Sequence, residues 1–388
     1  MSRSTPLKSR YDAVIVGARV AGAATALLLA RQGLRVLAVD RAPYGLDTTS
    51  THAIMRPGVM QLRRWGVLDR LIAVGTPAIR RTTFHYGDEA VEVPIKMRDG
   101  LDALYAPRRT LLDAMLVDAA REAGATVRHG VSFVNLVHDA GGRVRGVTLD
   151  TPEGRVTVAS PIVIGADGAR SGVARAAGAP VLHARRRSGA VLYGYRRGLD
   201  LAWTHWYYGP GVAAGAIPTN GGETCVFVAM PADRQSTWPA ADHDRLFRDV
   251  MAENDPGLAA MVTRAEPVGK LHSFAGRSGF IRKSHGPGWA LVGDAGCFKD
   301  PITAHGMTDA LRDAELLANA VLAGTDSALA DYQATRDNLA IEFLDVSDEI
   351  ASYEWDFDGV KNMHQRLSEL MGREYDLVME LETAGLRR

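Results

Sequence analysis

Residues 12–40 constrain the fold more than any other stretch, because they read as a strand, a glycine turn, a helix and a second strand. The apolar run 12–16 is typical of a buried strand, and 21–32 is an Ala- and Leu-rich helix ended by Gly33. Residues 34–39 form the second strand. The chain therefore opens with a β-α-β unit of the length that a dinucleotide-binding fingerprint requires.

The turn of this unit departs from the G-x-G-x-x-G pattern at one position. Gly17 allows the tight turn and Gly22 allows close helix–sheet packing, but Arg19 stands where the second glycine is usual. The helix N-terminus offers free N–H groups to a pyrophosphate, and Asp40 is placed to bind a ribose. Two readings stay open: an ordinary β-α-β unit, or a nucleotide site in which Arg19 points outward and adds positive charge.

Two later apolar strands also end in an acidic turn. The stretch VIGADGARSGVAR (163–175) contains Asp167-Gly168, and LVGDAGCFKDPITAHGM (291–307) contains Gly293-Asp294. Each pattern alone is common. The combination of all three motifs, in this order and at these separations, is a specific signal of a protein family.

The three motifs resemble those of the FAD-dependent aromatic hydroxylases, the group A flavoprotein monooxygenases with a p-hydroxybenzoate hydroxylase-like fold, over about residues 10–340. Features of the related geranylgeranyl reductases and flavin-dependent halogenases are also present. The implied fold is α/β: a Rossmann-like FAD-binding domain, interrupted by a mostly antiparallel β-sheet substrate domain, with a helical C-terminal tail. The expected segments are 1–75, 100–180 and 281–330 for the FAD-binding domain, 76–99 and 181–280 for the substrate domain, and 331–388 for the C-terminal helices.

The resemblance implies which residues meet FAD. Carboxylates suit the ribose and ribityl hydroxyl groups, and backbone N–H groups near the flavin N1–C2=O edge stabilise the negative charge of the reduced ring. The implied cofactor-binding residues are Gly17, Arg19, Ala21, Gly22, Asp40, Arg41, Arg109, Asp167, Gly168, Gly293, Asp294, Pro301, Gly306 and Met307.

Four departures from the hydroxylase pattern leave the reaction open: Arg19, Gly296 in place of His, Ala304 in place of Gly and Thr308 in place of Asn. The leading expectation is a monooxygenase that uses NADPH or NADH as a transient electron donor. It would pass oxygen from O2, through a flavin C4a-hydroperoxide, to an aromatic or polycyclic small molecule.

The alternative is an FAD-dependent C=C reductase or dehydrogenase of the geranylgeranyl reductase type, because DPITAHGM (300–307) is nearer to that branch. A halogenase is disfavoured, since Ile217-Pro218 lacks the tryptophans of the Trp-x-Trp-x-Ile-Pro motif. A flavin-binding scaffold without chemistry is the non-enzyme reading.

Two residues are candidates for catalysis, His305 and Arg56. His305 precedes Gly306, so it either moves protons beside the flavin or is fixed by backbone contacts, and Arg56 lies in a segment that runs along the flavin in the family. Strand alternation places three further aromatic residues on one face, which either covers a substrate or packs into the sheet core. The candidate substrate residues are Tyr193, Trp203, His205 and Tyr207.

The charge balance and the cysteine content limit which partners and which cellular location we expect. Lys+Arg and Asp+Glu are both 45, so a nucleic-acid partner is not expected. The two cysteines, Cys225 and Cys297, are far apart and give neither a disulfide framework nor metal-ligand spacing, and a cytoplasmic location is expected. No apolar run reaches transmembrane length. The C-terminal helices suit either a homodimer interface or a cover over a monomer.

Overall fold

The structure, a computed structural model, describes residues 7–50 and 52–385. Its strands are, in chain order, β1 (Ala13–Val16), β2 (Val36–Asp40), β3 (Ala78–Ile79), β4 (Arg81–Tyr86), β5 (Glu89–Pro94), β6 (Leu104–Tyr105), β7 (Thr126–His129), β8 (Ser132–His138), β9 (Val144–Thr151), β10 (Gly154–Ala159), β11 (Val163–Gly165), β12 (Val181–Ala184), β13 (Gly189–Arg197), β14 (Thr204–Gly209), β15 (Val212–Pro218), β16 (Glu223–Pro231), β17 (Glu266–Phe274), β18 (Phe280–Arg282), β19 (His285–Gly286), β20 (Trp289–Leu291) and β21 (Cys297–Phe298).

The α-helices are α1 (Val20–Arg31), α2 (Arg56–Arg64), α3 (Leu68–Ala73), α4 (Arg109–Glu122), α5 (Gly172–Ala176), α6 (Ala232–Ser236), α7 (His243–Asn254), α8 (Pro256–Arg264), α9 (Gly306–Ala323), α10 (Asp326–Ile350) and α11 (Phe357–Gly385). Short 3-10 turns cover Asn220–Gly222, Ala240–Asp242, Gly293–Ala295 and Pro301–Thr303. None of the helices within the described ranges has the length and apolarity needed to cross a membrane.

The first sheet has the order β19-β20-β11-β1-β2-β7, and all its pairings are parallel except β19–β20. Alternate residues of β1 face opposite sides, as the period of two requires. Ile15 packs among α1, α4 and α9, whereas Val14 packs against the antiparallel meander β8–β10. The sheet draws its strands from distant parts of the chain, which confirms the predicted interrupted nucleotide-binding fold.

The second sheet has the order β17-β13-β16-β15-β14-β4-β5 and is antiparallel except for the β14–β4 pairing. One face packs against α10, α11 and Ile302, and the other against α7 and α8. A third, small sheet of β12, β18 and β21 lies where the chain passes between the two larger sheets. The predicted mixed α/β fold with a helical C-terminal region is confirmed.

Candidate functional site

The first glycine motif packs directly against the second. Gly17 has φ +103°, and a Cβ there would lie 2.2 Å from the Ala166 carbonyl oxygen. A Cβ on Gly22 would lie 1.8 Å from the carbonyl oxygen of Gly17. Both positions therefore exclude any side chain, and the turn after β1 meets the end of β11 at Asp167.

The third motif closes on the first in the same way. Gly293 has φ +59°, and a Cβ there would lie 2.9 Å from the Ala21 Cβ. The three motifs that the sequence singled out are thus in contact at one edge of the parallel sheet. Ligands of open α/β sheets bind at this carboxyl edge.

The N-terminus of α1 opens into a groove. Among the described residues, none accepts a hydrogen bond from the N–H groups of residues 19–22. The Asp40 carboxylate accepts the N–H groups of Ala18 (2.9 Å) and Ala42 (2.8 Å), which fixes it at the groove wall with lone pairs to spare. Residues 42–46 and His129 complete the lining.

Arg19 explains how this turn works without its second glycine. Its backbone is extended and its guanidinium turns toward α4, with Nη1 3.4 Å from Asp113 Oδ2. Asp113 is also held in two bonds, of 2.9 and 3.0 Å, by buried Arg109. The Arg19 side chain thus pairs with α4, while the backbone N–H groups of the turn stay accessible. Arg41 is exposed at the end of β2.

Asp167 caps a helix. Its carboxylate accepts the Ser171 hydroxyl (2.5 Å) and the N–H groups of Gly172 (2.6 Å) and Val173 (3.2 Å), at the start of α5. Gly168 follows with φ +77°. The structure thus shows a structural use for Asp167 and leaves its predicted cofactor contact as a prediction.

Asp294 is half-buried, and no described residue donates a hydrogen bond to its carboxylate. Burial, reinforced by the nearby negative charge of Asp309, raises the pKa of Asp294 to about 6. A carboxylate held at such a cost without a donor suits a ligand that donates hydroxyl hydrogens.

The segment from Pro301 to α9 ends in a second free helix N-terminus. Ala304 adopts φ +51°, the left-handed conformation that ends the 3-10 turn, so it performs the part of the expected glycine. Gly306 is exposed, and a Cβ there would meet nothing within 4 Å. No described residue accepts a hydrogen bond from the N–H groups of 306–308. Such groups stabilise negative charge.

Two departures from the hydroxylase pattern have local reasons. Thr308 Oγ1 accepts the Met55 N–H at 3.0 Å and ties the segment before α2 to α9. Gly296 leaves room for Arg336, because a Cβ at 296 would lie 2.8 Å from its guanidinium. A histidine at 296 would collide with Arg336.

A buried ion-pair network lies beneath the start of α9. Lys299 contacts Asp309 at 2.6 Å, and Arg312 contacts Asp309 at 2.9 Å and Glu374 at 2.6 Å. His305 Nε2 lies 2.6 Å from Glu374, and the His305 ring stacks on Phe343. Side-chain contacts, rather than the expected backbone contacts, therefore fix His305.

The carboxylates of this network already pair with cations. The ligand atoms of His305, Asp309 and Glu374 lie within 4.8 Å of one another, a spacing that suits a metal ion. Lys299 and Arg312 contact these acids with their own charges, and Arg312 also pairs with a third buried acid, Asp313, at 2.7 Å. A metal ion would add positive charge beside these two cations.

The predicted substrate residues fall on two faces of the second sheet. Tyr193 packs on the face that contacts Ile302, and its hydroxyl accepts the Ser50 N–H at 3.2 Å. Tyr207 packs in the core beneath α7, in a stacked row with His205 and Trp203. The three rings share one row, as predicted, but Tyr207 packs away from Ile302, whereas Trp203 also packs against the cluster that contains Ile302.

Four residues around Tyr193 are not among the predicted site residues. His52 bonds to the hydroxyl of Tyr195, and Arg108 lies 3.6 Å above the Tyr195 ring. His272 stacks on Tyr193 at 4.9 Å. The two-residue period of β13 placed Tyr195 beside Tyr193, so alternation was a signal for it. Arg56 begins α2 and is only partly buried.

Comparisons with known proteins agree with this geometry. A family model described as FAD binding domain matches residues 10–347. Menaquinone reductase of Mycolicibacterium smegmatis is 28% identical over 340 residues, which are 84% of this chain and 79% of that protein. Aklavinone 12-hydroxylase RdmE of Streptomyces purpurascens is 33% identical over 181 residues, 41% of this chain and 33% of that protein. A triple mutant of the flavin-dependent brominase Bmp2 shares the fold, with a TM-score of 0.80, 20% identity and coverage of 97% and 99%.

Proposed function

Because the chain belongs to the FAD binding domain family and is an FAD-dependent oxidoreductase, we propose that it uses NAD(P)H and O2 to oxygenate an aromatic or polycyclic small molecule. When bound, FAD accepts electrons from NAD(P)H and delivers them to oxygen or substrate. The observation that carries this proposal is the arrangement of two free helix N-termini, of α1 and α9, with the unpartnered Asp294 carboxylate between the motifs.

These groups fit the parts of FAD. The N–H groups of residues 19–22 suit the pyrophosphate, and Asp40 in the groove wall suits the adenosine ribose. Asp294 suits the ribityl hydroxyls. The N–H groups of Gly306 and Met307 suit the N1–C2=O edge, where they would stabilise negative charge on the reduced ring.

The aromatic face of the second sheet supports an aromatic substrate. Tyr193 and Tyr195 lie on the face that contacts Ile302, next to the start of α9. Planar rings bind well between aromatic side chains in a site closed to water. His305 would move protons beside Gly306. Arg56 remains a candidate contact of the flavin.

A second candidate function is reduction of a C=C bond in an apolar substrate. The match to a menaquinone reductase favours it, since that match covers 84% of the chain, whereas the hydroxylase match covers 41%. This reaction adds two electrons and two protons to the double bond and needs no oxygen.

The two functions separate in one experiment. The FAD-loaded protein is reduced with NADPH under nitrogen and divided between two samples. We expect the first, given isotopically labelled O2 and a panel of naphthols, to place one labelled oxygen atom in a product seen by mass spectrometry. Menaquinone from the second, oxygen-free sample that keeps two added hydrogens after its ring has been reoxidised to the quinone would favour the reductase instead. Failure of both NADPH and NADH to bleach the flavin with every probe present would overturn both functions.

The cofactor site has its own test. Gly306→Ala adds a methyl group that meets no protein atom, so it can disturb only a bound ligand. We expect the FAD Kd to rise by about tenfold or more, with the stability of the apoprotein unchanged. Gly372→Ala, also in a helix and also free of contacts, is the matched control. Equal FAD affinity in both variants would place the flavin elsewhere.

A further inference from the structure

His52 is held in a conformation that side chains rarely adopt. It lies in the segment between β2 and α2, its φ is +72°, and it is only 1% exposed. A residue with a Cβ keeps such a backbone only where its surroundings impose it, and such residues gather at functional sites. Histidine is not required by the turn itself, since Gly or Asn would adopt this conformation more easily.

The imidazole also has an unused nitrogen. Nε2 bonds to the Tyr195 hydroxyl, whereas Nδ1 is buried and has no partner among the described residues. Burial, helped by the charges of Arg109 and Arg108, lowers the pKa of His52, and burial raises the pKa of Tyr195. Both groups are therefore neutral at physiological pH.

The neutral pair has one favourable arrangement. If the Tyr195 hydroxyl donates to Nε2, the ring proton sits on Nδ1 and only that N–H is unpaired. In the reverse arrangement, Nδ1 and the Tyr195 O–H both lack a partner. Because each buried unpaired group is costly, the first arrangement is preferred, and it leaves an N–H donor without an acceptor.

His52 lies where the two halves of the candidate site meet. Three residues later, Met55 donates its N–H to Thr308 in the first turn of α9. On the other side, Tyr195 packs on the sheet face that contacts Ile302. Arg109, from the nucleotide groove, is close enough to act on His52 electrostatically.

We propose that His52 donates a hydrogen bond from Nδ1 to a carbonyl or phenolate oxygen of a planar substrate, with Tyr195 as the positioning residue that sets the ring tautomer. The inference rests on the proposed function, because it assumes a substrate beside the flavin. The guanidinium groups of Arg108 and Arg109 favour an oxygen that carries negative charge. Tyr193 and Tyr195 are aromatic residues on the sheet face beside His52, and both are buried.

The test compares two ring probes on oxidised, FAD-loaded protein: menadione, which has two carbonyl oxygens, and methylnaphthalene, which has none. We expect menadione to bind the wild-type protein about tenfold or more tightly than methylnaphthalene. His52→Leu should bring this ratio close to one. His52→Asn should keep much of it, because Asn tolerates positive φ and carries a side-chain N–H. Tyr195→Phe should fall between the two.

Tyr207→Phe is the matched control, since it also removes a tyrosine hydroxyl but on the opposite sheet face; its ratio should equal that of the wild type. A wild-type ratio near one, absent menadione binding, or an unchanged ratio in His52→Leu would overturn the inference. So would a parallel loss of FAD affinity in His52→Leu, because the N–H would then serve the flavin. Bleaching by NADPH, scored on the same samples, reports separately on the proposed function.

Discussion

His305 Nε2 lies 2.6 Å from Oε2 of Glu374, and both side chains are fully buried. The other oxygen of Glu374 lies 2.6 Å from Arg312. Residue 374 falls outside the region matched by the family model, which ends at residue 347. Helix α11 therefore supplies a charge to the network beneath α9 that the shared family region does not contain.

Loss of the Glu374 charge should destabilise the protein. Burial opposes the carboxylate, but His305 and Arg312 outweigh it and hold the pKa of Glu374 below its ordinary value of 4.5. Its stabilisation is thus present above about pH 4.5 and is lost as the pH falls through the lowered pKa. Glu374→Gln should lower the free energy of unfolding by about 3 kcal/mol at neutral pH, and the difference from wild type should shrink in acid.

Urea denaturation near neutral and acid pH measures this difference. Glu342→Gln, which breaks an exposed pair with Arg373, is the control and should change the free energy of unfolding by less than about 0.5 kcal/mol. Equal losses in the two variants would show that the buried network contributes nothing special.

Asp294→Asn should stabilise the apoprotein while weakening FAD binding. Burial raises the pKa of Asp294 to about 6, so the folded chain holds this proton more tightly than the unfolded chain. The free energy of unfolding therefore declines as the pH rises from about 4 through about 6. Asn removes the buried charge and should add about 2 kcal/mol at about pH 8, but not at about pH 4.

In the same Asp294→Asn variant, the FAD Kd should rise by about tenfold, because an amide oxygen replaces two carboxylate acceptors. Thermal unfolding of the apoprotein and calorimetric FAD titration measure the two effects. Asp331→Asn, an exposed carboxylate on α10, is the control. A variant that loses stability and keeps its FAD affinity would assign Asp294 a structural role only.

Gly17→Ala should lower the free energy of unfolding by more than about 3 kcal/mol. The residue has φ +103°, and the new Cβ would lie 2.2 Å from a backbone carbonyl that cannot move without shifting β11. Gly141→Ala, where φ is not positive and the nearest atom is 3.4 Å away, should be nearly neutral. The urea midpoints of the Gly17→Ala and Gly141→Ala apoproteins measure this difference. Similar midpoints would mean that the turn is freely deformable.

Arg19→Gly restores the usual fingerprint and should change the FAD Kd by less than about threefold in about 0.15 M salt, because a partly exposed guanidinium is screened. The dependence of the FAD Kd on salt should weaken, since one positive charge leaves the groove wall. Arg41→Gly, which removes an exposed charge at the end of β2, is the comparison. Complete loss of FAD in Arg19→Gly would instead make Arg19 the main phosphate anchor.

The motifs could be predicted because the local backbone geometry requires their glycines. A Cβ on Gly17 or Gly293 would collide with a neighbouring motif, and a Cβ on Gly22 would collide with the Gly17 carbonyl. The pairings that the sequence did not reveal join residues far apart in the chain. His52 meets Tyr195 across 143 positions, and His305 meets Glu374 across 69.

The faces of the second sheet show where the pattern stops being informative. Alternation places Trp203, His205 and Tyr207 together, as observed. Which face turns to α9 depends on the packing of α7 on one side and α10 on the other. That choice is made by tertiary contacts, and no local pattern in β14 encodes it.

The late position of β20 has a consequence for synthesis. This strand covers one side of β11, yet Trp289–Leu291 leaves the ribosome more than a hundred residues after Val163–Gly165. Until then the nascent chain carries a parallel strand with an open edge, and five of the seven strands of the second sheet, β13 to β17, are made in the interval. Such non-local pairing is slow and leaves an edge to which other chains can add. The growing polypeptide is therefore most vulnerable to aggregation between these two points of its translation.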